Sequence, residues 1–204
     1  MTSSFRTLTL SADTLNNLDQ LGYAEMTPIQ AASLPLALAG QDVIAQASTG
    51  SGKTAAFGLP LVEKLTANFH AVQALVLCPT RELADQVTTE IRRLARATAN
   101  IKVVTLCGGV ALRGQEQSLQ HGAHVVVGTP GRILDHLTRG NLRLDSVKTL
   151  VLDEADRMLD MGFFDDMKQL IQQCPPKRQT CCSRRLTPKA LPSCRRSSCA
   201  TRKP

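Results

Sequence analysis

Short apolar runs alternate along this chain with longer segments in which apolar residues recur every three or four positions. The short runs, typical of strands buried on both faces, lie at 42–46, 74–78, 102–106, 124–128 and 149–153. The longer segments predict helices at 12–21, 28–38, 53–65, 81–97, 130–138 and 164–173. Strands followed by helices predict an α/β fold, a doubly wound, mostly parallel sheet with helices on both faces. In such a sheet, ligands bind at the carboxyl ends of the strands.

The charge of the chain is unevenly distributed. The formal net charge is +7, which favours an acidic partner such as nucleic acid. However, seven of the 24 Lys and Arg residues lie in 181–204, a segment without Asp or Glu. The other 17 basic residues balance the 17 acidic ones, so any RNA affinity of 1–180 must come from the local placement of groups.

Cysteine usage and hydropathy indicate the compartment. The seven cysteines form no C-x-x-C pair and match no zinc spacing, which favours buried thiols of a reducing compartment over disulfides or a structural metal. The chain has no run of eighteen apolar residues and does not begin with a charged and then apolar segment. We therefore expect no membrane span, no secretory signal and a cytoplasmic location.

The segment AQASTGSGKT at 45–54 joins the first predicted strand to its helix. Small residues let consecutive backbone N–H groups point at a phosphate, and the helix start adds partial positive charge. Lys53 would contact the outer phosphates of a nucleotide, and the Thr54 hydroxyl would bind Mg²⁺. Ala47 departs from the glycine that starts the common phosphate-loop pattern, and the alternative is a flexible glycine turn with an incidental lysine. The residues predicted to hold the nucleotide are Ser48, Thr49, Gly50, Ser51, Gly52, Lys53 and Thr54.

A second motif, VLDEAD at 151–156, ends an apolar strand in adjacent carboxylates. Asp153 could hold Mg²⁺ through its water, and Glu154 could orient and deprotonate an attacking water. The alternative is an acidic helix cap. A phosphate loop upstream favours the catalytic interpretation, because Mg²⁺ needs carboxylate oxygens beside the phosphates. Lys53, Asp153 and Glu154 are thus the predicted catalytic residues, and Thr54 and Asp153 the predicted metal ligands.

Six segments, in this order, resemble the DEAD-box RNA helicases. They are GYAEMTPIQ at 22–30, ASTGSGKT at 47–54, PTREL at 79–83, GG at 108–109, TPGR at 129–132 and DEAD at 153–156. The resemblance covers 5–180, and the family also carries alanine at the position of Ala47. Two stretches, ALVLCPTRELADQV and EADRMLDMGF, look most like a bacterial branch of the family that acts in ribosome assembly. P-loop kinases and transporter ATPases are disfavoured, because neither class requires the segments around Gln30, PTREL and TPGR.

The resemblance implies that two residues recognise the base of ATP. Gln30 would read adenine through its amide, which donates and accepts at once, and Phe5 would stack on the ring. The alternatives are a helix-surface amide for Gln30 and a local core anchor for Phe5. The cofactors implied are ATP and Mg²⁺.

The resemblance also implies a path for RNA along three of the segments. Contacts there would go to sugar and phosphate, so RNA would bind with little sequence preference. The residues implied are Pro79, Thr80, Arg81, Gly109, Thr129, Gly131 and Arg132. The alternative is that TPGR and PTREL simply start helices.

By this resemblance, residues 1–180 are the first RecA-like domain of an ATP-dependent RNA helicase, a P-loop domain whose ATP hydrolysis drives local RNA strand separation. Family members close two such domains around ATP and RNA, and arginines of the second domain complete the phosphate site. We expect that second domain to be missing from this chain. The alternative is a nucleotide- or RNA-binding remnant of a truncated helicase gene, without catalytic competence.

The sequence departs from the family after residue 180. The family continues with a strand that ends in Ser-Ala-Thr and lies between the loop strand and the DEAD strand, whereas this chain continues CCSRRLTPKALPSCRRSSCATRKP. One permitted set of codons, read with a single added nucleotide before codon 181, encodes LLFSATYPEGIA. We hypothesise that 181–204 is translated out of frame, and expect a disordered basic tail and a sheet incomplete at its C-terminal end. The alternatives are a genuine RNA-binding or zinc extension, and a poor substitute strand formed by QTCCS.

Overall fold

The computed structural model describes residues 4–48 and 50–184 of the chain. Within these residues, six parallel strands form one sheet in the order β1-β6-β5-β2-β4-β3. The strands are β1 Val43–Gln46, β2 Ala74–Leu77, β3 Val103–Leu106, β4 Val125–Gly128, β5 Thr149–Leu152 and β6 Gln179–Arg184. The α-helices are α1 Ala12–Gln20, α2 Pro28–Leu38, α3 Lys53–Glu63, α4 Arg81–Leu94, α5 Leu112–Gln120, α6 Pro130–Thr138, α7 Ala155–Asp160 and α8 Phe164–Gln173. The predicted parallel α/β fold is confirmed.

Apolar side chains from alternate strand positions fill one core on each face of the sheet, because successive residues of a strand point to opposite faces. On one face, Val76 of β2 packs with residues of α1 to α4. On the other face, its neighbours Leu75 and Leu77 pack with residues of α6 to α8. Burial on both faces explains why the strands appear in the sequence as continuous apolar runs.

Side chains that follow the predicted pattern start several helices. Thr27 and Gln30 form a capping box at the start of α2, in which each side chain bonds the backbone N–H of the other residue. Thr80 Oγ1 accepts the backbone N–H of Leu83 at 3.3 Å and so caps α4. These bonds place the starts of α2 and α4 where the sequence predicts them.

Two helices were not predicted. Helix α5 has the sequence LRGQEQSLQ, of which only Gln115 is buried, so it lacks the apolar stripe that marks a helix packed on a core. Helix α7 has six residues and directly follows the DEAD strand, which leaves it too short for a periodic signal.

Strand β6 lies inside the sheet, between β1 and β5, where the family resemblance places it. Cys181 pairs with Val43 on one side and with Val151 on the other. Gln179 anchors the strand, because its Nε2 donates to the carbonyl oxygens of Ala37 at 2.9 Å and Gln41 at 2.6 Å. The substitute strand therefore forms, and the expected boundary at residue 180 falls inside it. The expectation of a disordered tail otherwise concerns 185–204, which lies outside the described residues.

All carboxyl ends of the parallel strands meet at one edge of the sheet. The segments that follow β1 to β5 include every motif quoted above except the one at 22–30. Among the described residues, no helix is long and apolar enough to cross a membrane.

Candidate functional site

A glycine-rich loop connects β1 to α3. Gly50 and Gly52 have φ angles of 80° and 90°, which glycine adopts without a steric penalty. Helix α3 begins directly after Gly52, and no side chain of the described residues caps it. Backbone N–H groups at such a helix start can bind a phosphate. Thr49, which the sequence assigns to this loop, lies outside the described residues.

Lys53 is folded back onto this loop. Its side chain is buried, and its Nζ donates to the carbonyl oxygens of Ala47 and Ser48, both at 2.7 Å. An ammonium group has only donors, so these carbonyls satisfy it as phosphate oxygens would.

The predicted carboxylates follow β5 and are buried. Asp153 is 3% exposed and Glu154 is 5% exposed. Ser183 of β6 contacts both residues. Its Oγ donates to Asp153 Oδ1 at 2.5 Å and accepts the backbone N–H of Glu154 at 2.9 Å. Burial raises the pKa of Asp153, and the hydrogen bond from Ser183 opposes that rise. Arg157 Nη1 lies 3.4 Å from Glu154 Oε2.

One open cleft of about 550 Å³ joins the two motifs. Lys53 and Thr54 line it from the loop, and Asp153 and Glu154 line it from the end of β5. The motifs are far apart in the sequence, but only β6 separates β1 from β5 in the sheet. The volume lies within the range of small-molecule and cofactor sites, roughly 300–1,000 Å³.

Gln30 links the segment at 22–30 to the loop. Its side chain lines the cleft, its Oε1 accepts the backbone N–H of Thr27 at 2.9 Å, and its Nε2 donates to the Gly52 carbonyl oxygen at 3.1 Å. A Cβ atom on Gly52 would lie 2.5 Å from Gln30 Nε2. A side chain at this position would displace Gln30 Nε2, and the positive φ also favours glycine.

The three segments predicted to contact RNA lie together after β2, β3 and β4. A Cβ atom on Gly109 would be 3.6 Å from Arg81 Nη1, and Arg132 Nη1 donates to the Val110 carbonyl oxygen at 3.0 Å. The backbone N–H of Thr129 donates to the Leu106 carbonyl oxygen at 3.1 Å. Leu83, in the first turn of α4, also lines the cleft, so this surface adjoins the carboxylates and the loop.

A comparison with protein families agrees with this geometry. The model of the DEAD/DEAH box helicase family matches residues 27–183. The chain belongs to the DEAD/DEAH box helicase family. The predicted family is therefore confirmed over most of this DEAD-box chain.

Individual relatives agree with the family assignment. ATP-dependent RNA helicase DbpA of Escherichia coli (strain K12) is 60% identical over 166 residues, which cover 81% of this chain and 36% of that protein. DEAD-box ATP-dependent RNA helicase CshA of Geobacillus kaustophilus (strain HTA426) is 49% identical over 178 residues, 87% of this chain and 38% of that protein. A solved DEAD box protein from the hyperthermophile Methanococcus jannaschii has a TM-score of 0.84 and 42% identity, and the match covers 91% of this chain and 50% of that one. This DEAD-box chain thus spans less than two fifths of the length of the two helicases.

Phe5 does not reach the cleft of this DEAD-box domain. It is buried in the core at 3% exposure and packs edge to face against Tyr23, with ring centroids 5.8 Å apart. This packing supports the local core anchor that was the alternative to base stacking. Tyr23 itself lines the cleft and donates its hydroxyl hydrogen to Glu90. Burial raises the pKa of Tyr23, and the bond to Glu90 raises it further.

Several polar residues of this DEAD-box domain lie in or beside the predicted sites without having been predicted. Among them are Tyr23, Ser183 and Gln115. Tyr23 stands within the quoted segment 22–30, which was a usable signal. Ser183 and Gln115 carry no local signal, because their contacts come from elements far apart in the sequence.

Proposed function

We propose that this chain is the ATP-binding domain of an ATP-dependent RNA helicase, which binds ATP with Mg²⁺ and holds RNA by its backbone. The observation that carries the proposal is the single cleft in which Lys53, Thr54, Asp153 and Glu154 meet. A phosphate loop and two buried carboxylates at one sheet edge suit phosphoryl transfer to water. The names of the relatives, ATP-dependent RNA helicases, support the same chemistry.

The donor set of the cleft fits Mg²⁺ bound to a triphosphate. The Thr54 hydroxyl and the Asp153 carboxylate are hard oxygen donors, and Mg²⁺ typically takes one or two such protein ligands and otherwise water and phosphate oxygens. The metal would neutralise charge on the phosphates. Lys53 would hold the outer phosphates, Gln30 would face the adenine, and Glu154 would take a proton from the attacking water.

The surface formed after β2, β3 and β4 supports backbone contacts with RNA. Arg81 and Arg132 supply positive charge there, and Gly109 leaves room for a sugar-phosphate chain. We also propose that efficient hydrolysis and strand separation require a second RecA-like domain. The 36% coverage of DbpA supports this part of the proposal.

Two further features belong to the proposal. Cys78, Cys107, Cys174 and Cys181 are buried thiols without disulfides, which supports a reducing compartment, and we place the protein in the cytoplasm. The identity to DbpA supports the bacterial branch that the sequence indicated, with ribosome assembly as the proposed setting.

Titration with a fluorescent ATP analogue, with and without Mg²⁺, tests the proposal. Lys53→Ala removes the charged donor of the loop, so the affinity should fall by about tenfold or more, as expected for a hydrogen bond to a charged group. Lys168→Ala is the matched control, because Lys168 is an exposed lysine of α8.

Equal affinities for the Lys53→Ala variant and the unaltered chain would reject a phosphate loop at 47–54. Binding of ATP and RNA without hydrolysis, even when the second domain of a relative is added, would favour the remnant over the enzyme.

A further inference from the structure

Gln115 is a buried amide among exposed residues of α5, at 8% exposure, and it contacts three separate parts of the fold. Its Nε2 donates to the carbonyl oxygen of Cys107, at the end of β3, at 2.9 Å. Its Oε1 lies 3.2 Å from Arg132 Nη1 and 3.0 Å from His136 Nε2, both on α6. One side chain therefore joins the turn at 107–111 to the helix that begins with TPGR.

The chemistry of these partners determines the orientation of the amide. Arg132 can only donate and a carbonyl oxygen can only accept, so Oε1 must face Arg132 and Nε2 must face Cys107. His136 consequently donates from Nε2. Its Nδ1 is buried and has no hydrogen-bond partner among the described residues.

The contacts also restrict the guanidinium of Arg132. Its Nη1 is shared between Gln115 Oε1 and the Val110 carbonyl oxygen at 3.0 Å. Both bonds use Nη1. The N–H groups of Nε and Nη2 lie in one plane on another side of the guanidinium, and this planar fork suits two oxygens of a phosphate. Without Gln115, the long side chain would keep its charge but lose the acceptor that sets the plane of the fork.

We infer that Gln115 is a positioning residue for RNA binding, which holds Arg132 against the turn at 108–110 so that the guanidinium fork faces an RNA phosphate. The inference rests on the proposed function, because it assigns RNA to the surface that Arg132 occupies. It makes Gln115 a determinant of RNA affinity that has no contact with RNA itself. Nucleotide binding should not depend on it, since Gln115 does not line the cleft.

The test is RNA binding by the full chain, measured as anisotropy of a labelled single-stranded RNA over a series of salt concentrations. Gln115→Met keeps the length of the side chain and removes all three hydrogen bonds. We expect RNA affinity to fall about tenfold, within the range of couplings between residues in contact. The slope of log RNA affinity against log salt concentration should also become shallower, by about the amount that one phosphate contact contributes. Affinity for ATP with Mg²⁺ should stay within about twofold.

Gln117→Met is the matched control, because Gln117 is an exposed glutamine of the same helix. It should leave both affinities and the salt slope unchanged. A Gln115→Met variant that loses ATP and RNA affinity in parallel would show a general structural defect and overturn the inference.

The Arg132→Lys variant is a second test of the inference, and it leaves the buried Gln115 side chain unchanged. Lysine keeps the charge but has no planar fork, so this variant should lose RNA affinity to a similar extent. The double variant Gln115→Met, Arg132→Lys should bind RNA about as tightly as whichever single variant has the lower RNA affinity, because both changes remove the same phosphate contact. Additive losses, or normal RNA binding by Arg132→Lys, would overturn the inference. If the unaltered chain binds ATP but not RNA, the RNA part of the proposed function fails instead, and the inference fails with it.

Discussion

Ser183 shows how one side chain from a distant element can organise the candidate site. Its hydroxyl donates to Asp153 Oδ1 and accepts the N–H of Glu154, whose backbone is left-handed with a φ of 51°. A non-glycine residue in this region is uncommon and needs support from its surroundings. Ser183 provides such support, and it also stabilises the charged form of a buried carboxylate.

Replacing Ser183 with alanine should weaken the dependence of ATP binding on Mg²⁺. Loss of the hydrogen bond removes a group that lowers the pKa of Asp153, so the buried carboxyl should take up a proton more readily. A lost hydrogen bond to a charged group is worth about 1.5 kcal/mol or more, so a drop in Mg²⁺-dependent ATP affinity of roughly tenfold or more is expected. Mg²⁺ titrations at several pH values measure it, with Ser118→Ala on the exposed face of α5 as the control. An unchanged Mg²⁺ requirement would contradict the assignment of Asp153.

The buried imidazole of His136 predicts a loss of stability in mild acid. Burial, followed by the charge of Arg132, lowers its pKa below the usual value for histidine, although Asp135 and Glu116 raise it. As the pH falls, His136 therefore takes up a proton at a higher pH in the unfolded chain than in the folded chain. This contribution to stability is present above the unfolded pKa, about 6.5, and is lost as the pH falls towards the folded pKa.

Urea unfolding between pH 8 and pH 5 would measure the effect of His136. The free energy of unfolding should fall with a slope of at most about 1.4 kcal/mol per pH unit from this one group. His136→Asn should remove that part of the pH dependence, whereas His121→Asn, at an exposed site, should retain it. Identical pH profiles in all three proteins would show that His136 does not titrate as its environment implies.

Among the elements, strand β6 is an interior strand of the sheet made of small and polar residues. Its Cys181 and Ser183 point towards α2 and α3, where a cavity of about 20 Å³ lies beside Ala37, Val43 and Phe57. A cavity of this size has room for roughly one water molecule. One added carbon is the most that a space of this size suits. The shifted reading frame places Leu at position 181 and Phe at position 183, and sequencing the gene across codon 181 tests the frame hypothesis.

Cys181→Val should stabilise the domain. Burial raises the pKa of Cys181 to about 11, so the thiol is neutral at pH 7 and no charge is lost. The added carbon should contribute up to about 0.8 kcal/mol, and β-branched residues favour strands. Urea denaturation measures the gain, with Cys174→Val, a buried cysteine that does not line the cavity, as the control. A loss of stability in Cys181→Val alone would indicate that the cavity cannot accept a methyl group.

For the molecule as a whole, the described part of the cleft offers little positive charge for the proposed hydrolysis. The cleft has one lysine, Lys53, to meet the charge of a triphosphate. Arginines supplied from outside such sites raise turnover by roughly 10³ to 10⁵ in related enzymes.

We therefore expect the chain alone to hydrolyse ATP slowly, with little stimulation by RNA. A coupled ATPase assay beside DbpA should show turnover lower by roughly 10³-fold or more. Glu154→Gln, which removes the proposed base, should abolish what turnover there is. Turnover comparable to DbpA would show that the domain is sufficient by itself.

Much of the fold could be predicted because its signals are local. The five predicted strands agree with β1 to β5 to within one residue at each end, since a strand buried on both faces requires a continuous apolar run. The predictions missed α5 and α7, whose sequences lack an apolar period. Phe5 packs in the core against Tyr23, and its contact with adenine stays a prediction.

Short segments of the chain specify the chemistry available at the carboxyl edge of the sheet. The phosphate loop, the DEAD carboxylates and the helix-starting segments are each defined by neighbouring residues, so their order in the chain is sufficient to recognise them. Only the tertiary structure decided how these groups are held. Ser183 meets Asp153, and Gln115 meets Arg132, because strands and helices remote in sequence pack side by side. Hydrogen bonds of this kind depend on distances that no local pattern specifies.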